Sequence, residues 1–181
     1  NAVAITLPIG EENDFKGVVD LVKNQAIVWD DAGMGATYEV VEIPADMVDE
    51  VKEYRDILIE AVADYDENLL DKYMENPDSI TEEEINTALR AAVMDMAIIP
   101  MIAGSSFKNK GVQAMLDNVM ALLPSPIEVD AIKGIDPDTE EEIEIKMGYD
   151  APFVGLAFKI ATDPFVGRLC FVRAYSGKLP G

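Results

Sequence analysis

Residues 98–111 read IIPMIAGSSFKNKG, an apolar run that breaks into small polar residues before Gly111 opens a second, amphipathic run. That pattern predicts a strand, a tight loop and a helix. In an open α/β sheet the crevice beyond the carboxyl end of a strand is where ligands bind. Gly104, Ser105 and Ser106 are small enough to let backbone N–H groups approach a ligand closely. The loop is therefore a candidate ligand site, although strand–loop–helix units also serve as plain connectors. Lys108 and Lys110 have the charge for a phosphate; the simpler expectation is that they are solvated loop charges.

Other chemistries are limited by what the chain contains. There is no histidine, which removes His-based triads, His metal sites and the commonest general base. The single cysteine, Cys170, excludes an internal disulfide and a Cys-based metal cage; it sits in an apolar run and is expected to fill core. That usage fits a reducing, cytoplasmic setting. Glu82–Glu84 and Glu140–Glu142 offer carboxylate oxygens, yet a helix N-terminus and a solvated linker account for them, and no metal site is assigned. Asp14–Gly17 and Asp30–Gly33 both satisfy D-x-x-G by composition alone and receive no Mg²⁺ role.

Acidic residues number 35 against 14 basic ones, net −21 over 181 residues. Such a surface repels phosphate backbones and attracts basic protein faces, which disfavours nucleic-acid reading as a role for the whole chain. The charge is uneven. Residues 1–150 carry 34 acids and 10 bases, whereas residues 151–181 carry 1 acid and 4 bases. No apolar run approaches the roughly 18 residues of a membrane span, and no signal peptide is read.

The elements that must position the loop can be read from periodicity. Ala2–Ile9, Phe15–Trp29 and Tyr38–Ile43 are rich in β-formers, with DDAGMG (30–35) as a turn, and predict an antiparallel meander closed by a hairpin. Pro44 suits a helix first turn, and Val48, Val51, Tyr54 or Arg55, Leu58, Val62 and Tyr65 recur at helical spacing behind an acidic face. Thr81 with Glu84 forms a capping box, and Ile85, Ala88, Leu89, Ala92, Val93 and Met96 follow as one apolar stripe. Pro100 confines its strand to a sheet edge. Val112, Met115, Leu116, Val119 and Leu123 predict a helix stopped by Pro124 and Pro126. Residues 128–150 read as an acidic connector. The stretch from Leu156 to Leu179 alternates as strands around a DPFVG turn; so few strands leave open edges, and this unit is expected to be cut off.

Three blocks carry a resemblance. LPIG with FKGVVDLV (7–22), GSSFKNKGVQAMLDNVMALLPSP (104–126), and LAFKIATDPFVGRL with VRAYSGKL (156–179) are similar, in this order and spacing, to the elongation factor G family of bacterial translational GTPases. The match runs essentially end to end. It implies an α/β fold of α+β type: an antiparallel sheet with helices, inserted in a P-loop GTPase domain and followed by the first strands of a β-barrel. The implied division is an insert subdomain (1–96), the last strand and helix of the GTP-binding domain (97–126), a linker (127–152), and the truncated start of a barrel (153–181).

By that resemblance Ser105, Ser106 and Phe107 correspond to the fifth nucleotide motif of translational GTPases, whose backbone helps hold the guanine base. Ser106 stands where the family usually has Ala, which adds a hydroxyl and leaves a backbone contact feasible. GxxxxGK[ST] and NKxD are absent; Asn109-Lys110-Gly111 runs into Val112. The resemblance implies a ribosome-dependent GTPase that uses GTP or GDP with Mg²⁺ and drives translocation of transfer and messenger RNA. This segment, lacking the phosphate-holding motifs, is expected neither to bind GTP tightly nor to hydrolyse it alone. The implied partners are the ribosome and, through the acidic insert, its stalk protein, with Asp49, Glu50, Glu53, Asp56 and Glu60 as the contact surface. Ribosomal RNA contact is open to residues 153–181, and no membrane is implied. The alternatives are an acidic protein-interaction module without nucleotide chemistry and an unrelated acidic α/β domain that shares only the fold.

Overall fold

The protein, seen here as a computed structural model, is described at residues 1–30, 35–129, 131–136 and 138–179. The chain divides into two units, 1–123 and 124–181. In the first, strands β1 (Ala2–Ala4), β2 (Thr6–Ile9), β3 (Gly17–Asp20), β4 (Gln25–Trp29) and β5 (Tyr38–Val41) precede helices α1 (Val48–Ala63), α2 (Glu67–Glu75) and α3 (Glu82–Met94). Strand β6 (Ile99–Met101) and helix α4 (Val112–Leu122) complete it. The meander is present as the antiparallel sheet β2-β3-β4-β5. The turn expected at 30–35, and the D-x-x-G match at 30–33, fall on residues 31–34, outside the described residues.

Ala2–Ile9 is two strands rather than one. β1 leaves the meander and pairs in parallel with β6, Val3 opposite Pro100. Ile5 sits at the break: its N–H donates to Met101 O at 3.0 Å, and its carbonyl accepts from Leu21 N at 3.0 Å, so one residue ties both sheets. Pro100 is accommodated because both strands of this pair are edges.

β3 is buried on both faces, which is why GVVD does not alternate with polar residues. Val19 joins the main core with Leu7, Leu58, Val62, Ile85 and Leu89; Val18 joins a second cluster with Phe15, Ile27 and Trp29, against Ala103 and Ala114. At the end of β3, Asp20 Oδ1 accepts from Val22 N and Lys23 N, both at 2.9 Å, and shapes the turn into β4. The Arg55 guanidinium on α1 donates to the Leu21 and Val22 carbonyls of that turn.

α3 forms as its caps dictate. Thr81 N and Thr81 Oγ1 both donate to Glu84 Oε2 at 2.9 Å, and Glu84 N donates back to Thr81 Oγ1 at 3.4 Å. Ile85, Ala88, Leu89 and Ala92 are fully buried. The stripe ends there: Met96 is 87% exposed, at φ +54° beyond the helix end. On α1 the buried residues are Val51, Leu58, Ile59, Val62 and Ala63, while Val48 is exposed. Pro44 lies before that helix, its carbonyl accepting from Met47 N in a separate turn. α2 has no counterpart in the sequence reading; Asp66 caps it by accepting from Asn68 N and Leu69 N.

α4 occupies its expected place, but its apolar stripe is not core. Met115, Leu116, Val119 and Leu123 are exposed, and Leu122 is the buried residue of the helix.

The second unit contains two antiparallel hairpins: β7 (Ile132–Ile135) with β8 (Glu142–Ile145), and β9 (Val154–Asp163) with β10 (Gly167–Ser176). The first hairpin lies within the stretch read as a connector; Asp136 Oδ1, accepting from Asp138 N and Thr139 N, supplies its turn chemistry. The DPFVG turn is built as expected, with Asp163 Oδ1 accepting from Phe165 N and Val166 N at 2.8 Å and Gly167 at φ +86°. Cys170 is exposed and fills no core here, because among the described residues strands β9 and β10 pair only with each other.

Candidate functional site

The loop after β6 closes on itself as a minimal hairpin. Ser105 N donates to Lys110 O at 2.8 Å and Lys110 N to Ser105 O at 3.0 Å, with Asn109 N reaching Ser106 O at 3.2 Å. Ser106 and Phe107 lie at its tip, both exposed, Phe107 fully so. Their backbone N–H groups meet no acceptor among the described residues, so two donors at a rigid turn are unspent. Asn109 adopts φ +54° and Gly111 φ +86°. Gly111 is constrained further: a Cβ there would stand 3.1 Å from Ala103 O and from Gly104 Cα, so the two legs of the loop touch backbone to backbone.

The lysines hold this loop down. Lys110 is 2% exposed, and its Nζ donates to Phe15 O at 3.2 Å. Lys108 Nζ donates to Glu12 O at 3.0 Å and Asn13 O at 2.8 Å. Lys110 is therefore not a solvated loop charge, and Lys108 is half-buried; both clip the hairpin to the β2–β3 connection, some 95 residues away in sequence. Ala103 N donates to Thr6 Oγ1 at 2.7 Å, fixing the strand exit, and Gln113 joins Trp29 Nε1 to Gly35 O. None of these ties has a local sequence pattern.

The acidic surface is carried by α1. Asp49, Glu53, Asp56 and Glu60 are spaced as one helical face, with Glu50 beside it; Asp56 is half-buried and the others exposed. The Tyr73 phenol on α2 is pushed up, first by desolvation and then by the Asp56 and Glu60 carboxylates, which places that field at the α1–α2 junction. From Asp46 to Glu67 the sequence carries nine acids against Lys52 and Arg55; the Glu67 side chain lies outside the described residues. The Glu82–Glu84 run is a helix start: the Lys72 ammonium, then the Thr81 N–H and hydroxyl, hold Glu84 down at about 2. Among the described residues no three His, Cys, Asp or Glu side chains converge as a metal cage, and no helix is long and apolar enough to cross a membrane.

No protein-family model matches the chain. It is 65% identical over 179 residues to a protein of Cytophaga hutchinsonii named elongation factor G, covering 99% of this chain and 26% of that one. It is 57% identical over 181 residues to the protein of the same name from Amoebophilus asiaticus, again 26% of the relative. Among solved structures, a protein from Thermus thermophilus aligns with a TM-score of 0.71 and 26% identity over 98% of this chain and 24% of its own. The mixed α/β fold thus has a counterpart in a solved protein. The chain spans about a quarter of the length of the relatives it matches, and over nearly its whole length it is homologous to that quarter of elongation factor G.

Proposed function

We propose that this chain works as part of an elongation factor G, a ribosome-dependent GTPase that moves transfer and messenger RNA through the ribosome. Within it the Ser105–Phe107 turn contacts the guanine base. The observation that carries this reading is the pair of unspent N–H groups at Ser106 and Phe107, on a turn pinned by Lys108 and Lys110. A base edge is read well by donors that do not have to be ordered on binding. Ser106 is small and exposed, so a ring can approach the backbone, and its hydroxyl does not obstruct it. Phosphate and Mg²⁺ fall to segments other than these residues, since the motifs that hold them are absent from the sequence. In this reading residues 1–96 are the insert subdomain, 97–126 close the GTP-binding domain, 127–152 connect, and 153–181 begin a β-barrel whose net positive charge suits ribosomal RNA. The acidic face of α1, with Asp49, Glu50, Glu53, Asp56 and Glu60, steers a basic face of the ribosomal stalk protein.

The test is GDP affinity in a complete protein carrying this segment. Ser106→Gly is expected to be nearly silent. Ser106→Ile is expected to weaken GDP by about tenfold, or about 1.4 kcal/mol, by displacing the ring. Unchanged affinity for Ser106→Ile removes the turn from the nucleotide site and leaves the interaction-module reading in its place.

A further inference from the structure

A cavity of about 220 Å³ lies between the sheet at β4 and β5, the start of α3, and α4. Its volume is below that of pockets for drug-sized ligands and suits one small group. The Trp29 indole and the Tyr38 ring form one wall, centroids 5.8 Å apart and tilted by 48°. Three carboxylates from three elements line it: Asp20 at the end of β3, Glu82 in the first turn of α3 and Asp117 on α4. Lys23 is the cation among the lining residues, leaving the acids in excess.

Asp20 separates this cavity from a merely acidic surface. The residue is 8% exposed, and both of its hydrogen bonds fall on Oδ1, so Oδ2 accepts none among the described residues, although the Lys23 charge acts on the carboxylate. Burial pushes the pKa of that carboxyl up, as desolvation does where no opposite charge fully compensates it. α4 lines the cavity with Asp117 and, one helical turn before it, Gln113, whose amide is engaged by Trp29 Nε1 and Gly35 O, while Met115, Leu116 and Met120 face solvent. Aromatic rings and carboxylates lining one cavity are the chemistry that binds cationic nitrogen.

We propose that this cavity is a receptor for a single organic cation, an ammonium or guanidinium group, brought by a Lys or Arg side chain of a protein partner or by a free polyamine. It is distinct from the Ser105–Phe107 turn and from the acidic face of α1, and it stands or falls independently of the guanine reading.

Trp29 is the only tryptophan in the chain, so its fluorescence reports occupancy directly. The 181-residue chain is titrated with N-acetyl-arginine amide, N-acetyl-lysine amide, spermidine and, as the neutral isostere of the first, N-acetyl-citrulline amide. A saturable change with a cationic probe, absent with citrulline and weakened about tenfold in Asp117→Asn, is the expected result. Asp117 is exposed on α4, so that variant should keep its far-ultraviolet circular dichroism. Tyr38→Ala is expected to weaken the same probe. Saturation by an amino-acid amide assigns the source to a partner side chain; saturation by spermidine alone assigns it to a polyamine. No saturable change with any cation, an equal response to citrulline, or wild-type binding in both variants overturns the proposal.

Discussion

Replacing Leu89 by Ala sets the apolar stripe of α3 against its cap. Leu89 is fully buried among Ile85, Ala88 and the facing residues of α1 and the sheet. The substitution removes three carbons, worth about 0.8 kcal/mol each in transfer and so roughly 2.4 kcal/mol before any cavity is counted. With the unfilled space added, the loss is about 2–5 kcal/mol. Thr81→Ala keeps the Thr81 N–H bonded to Glu84 but removes the hydroxyl, and with it both the 3.4 Å bond from Glu84 N and the 2.9 Å bond to Glu84 Oε2. Its cost should lie within the cap range, about 0.5–2 kcal/mol. Urea melts followed by Trp29 fluorescence read the first unit alone. At a slope of about 2 kcal/mol per molar urea, Leu89→Ala should lower the midpoint by roughly 1–2.5 M with an unchanged slope. A Leu89→Ala midpoint equal to wild type, or a larger shift in Thr81→Ala, refutes the assignment of the stability of α3 to burial.

Lys110→Met should cost about 1–3 kcal/mol in the same melts, because it strands the buried Phe15 carbonyl; a neutral result would mean that the lysine is not a clip. The Glu84 carboxyl is held down from 4.5 to about 2 in the fold, so its stabilising contribution is complete above the unfolded value and is lost as pH falls through about 2. Glu84→Gln should flatten the melting temperature between those pH values, and an unaltered acid slope counts against the Lys72–Glu84 pair. Titration calorimetry of the 181-residue chain with GTP and Mg²⁺ should give no dissociation constant as tight as micromolar; one that tight contradicts the division of labour proposed above. Reversing Glu53, Asp56 and Glu60 to Lys in a complete protein should slow stalk-stimulated GTP turnover at low salt while sparing GDP affinity, and an intact rate would leave the α1 face merely solvated.

Local chemistry was legible without the fold. The capping box at Thr81 and Glu84, the Ile85–Ala92 stripe, the DPFVG turn and the strand–loop–helix exit each depend on residues a few positions apart. Hydrogen-bond geometry and side-chain periodicity fix these over short spans.

What tertiary structure alone decided was pairing across the chain. Val3 could meet Pro100, and Lys110 could reach Phe15, only after the sheet had formed, and a lysine beside a loop carries no mark that it will be buried. Apolar spelling told which residues could be core without telling which would be. Leu89 is enclosed by α1 and the sheet, whereas Leu116 and Cys170, equally apolar in context, stay exposed. Burial belongs to the arrangement of elements, because the hydrophobic effect rewards removed surface wherever it is found and does not specify the neighbour.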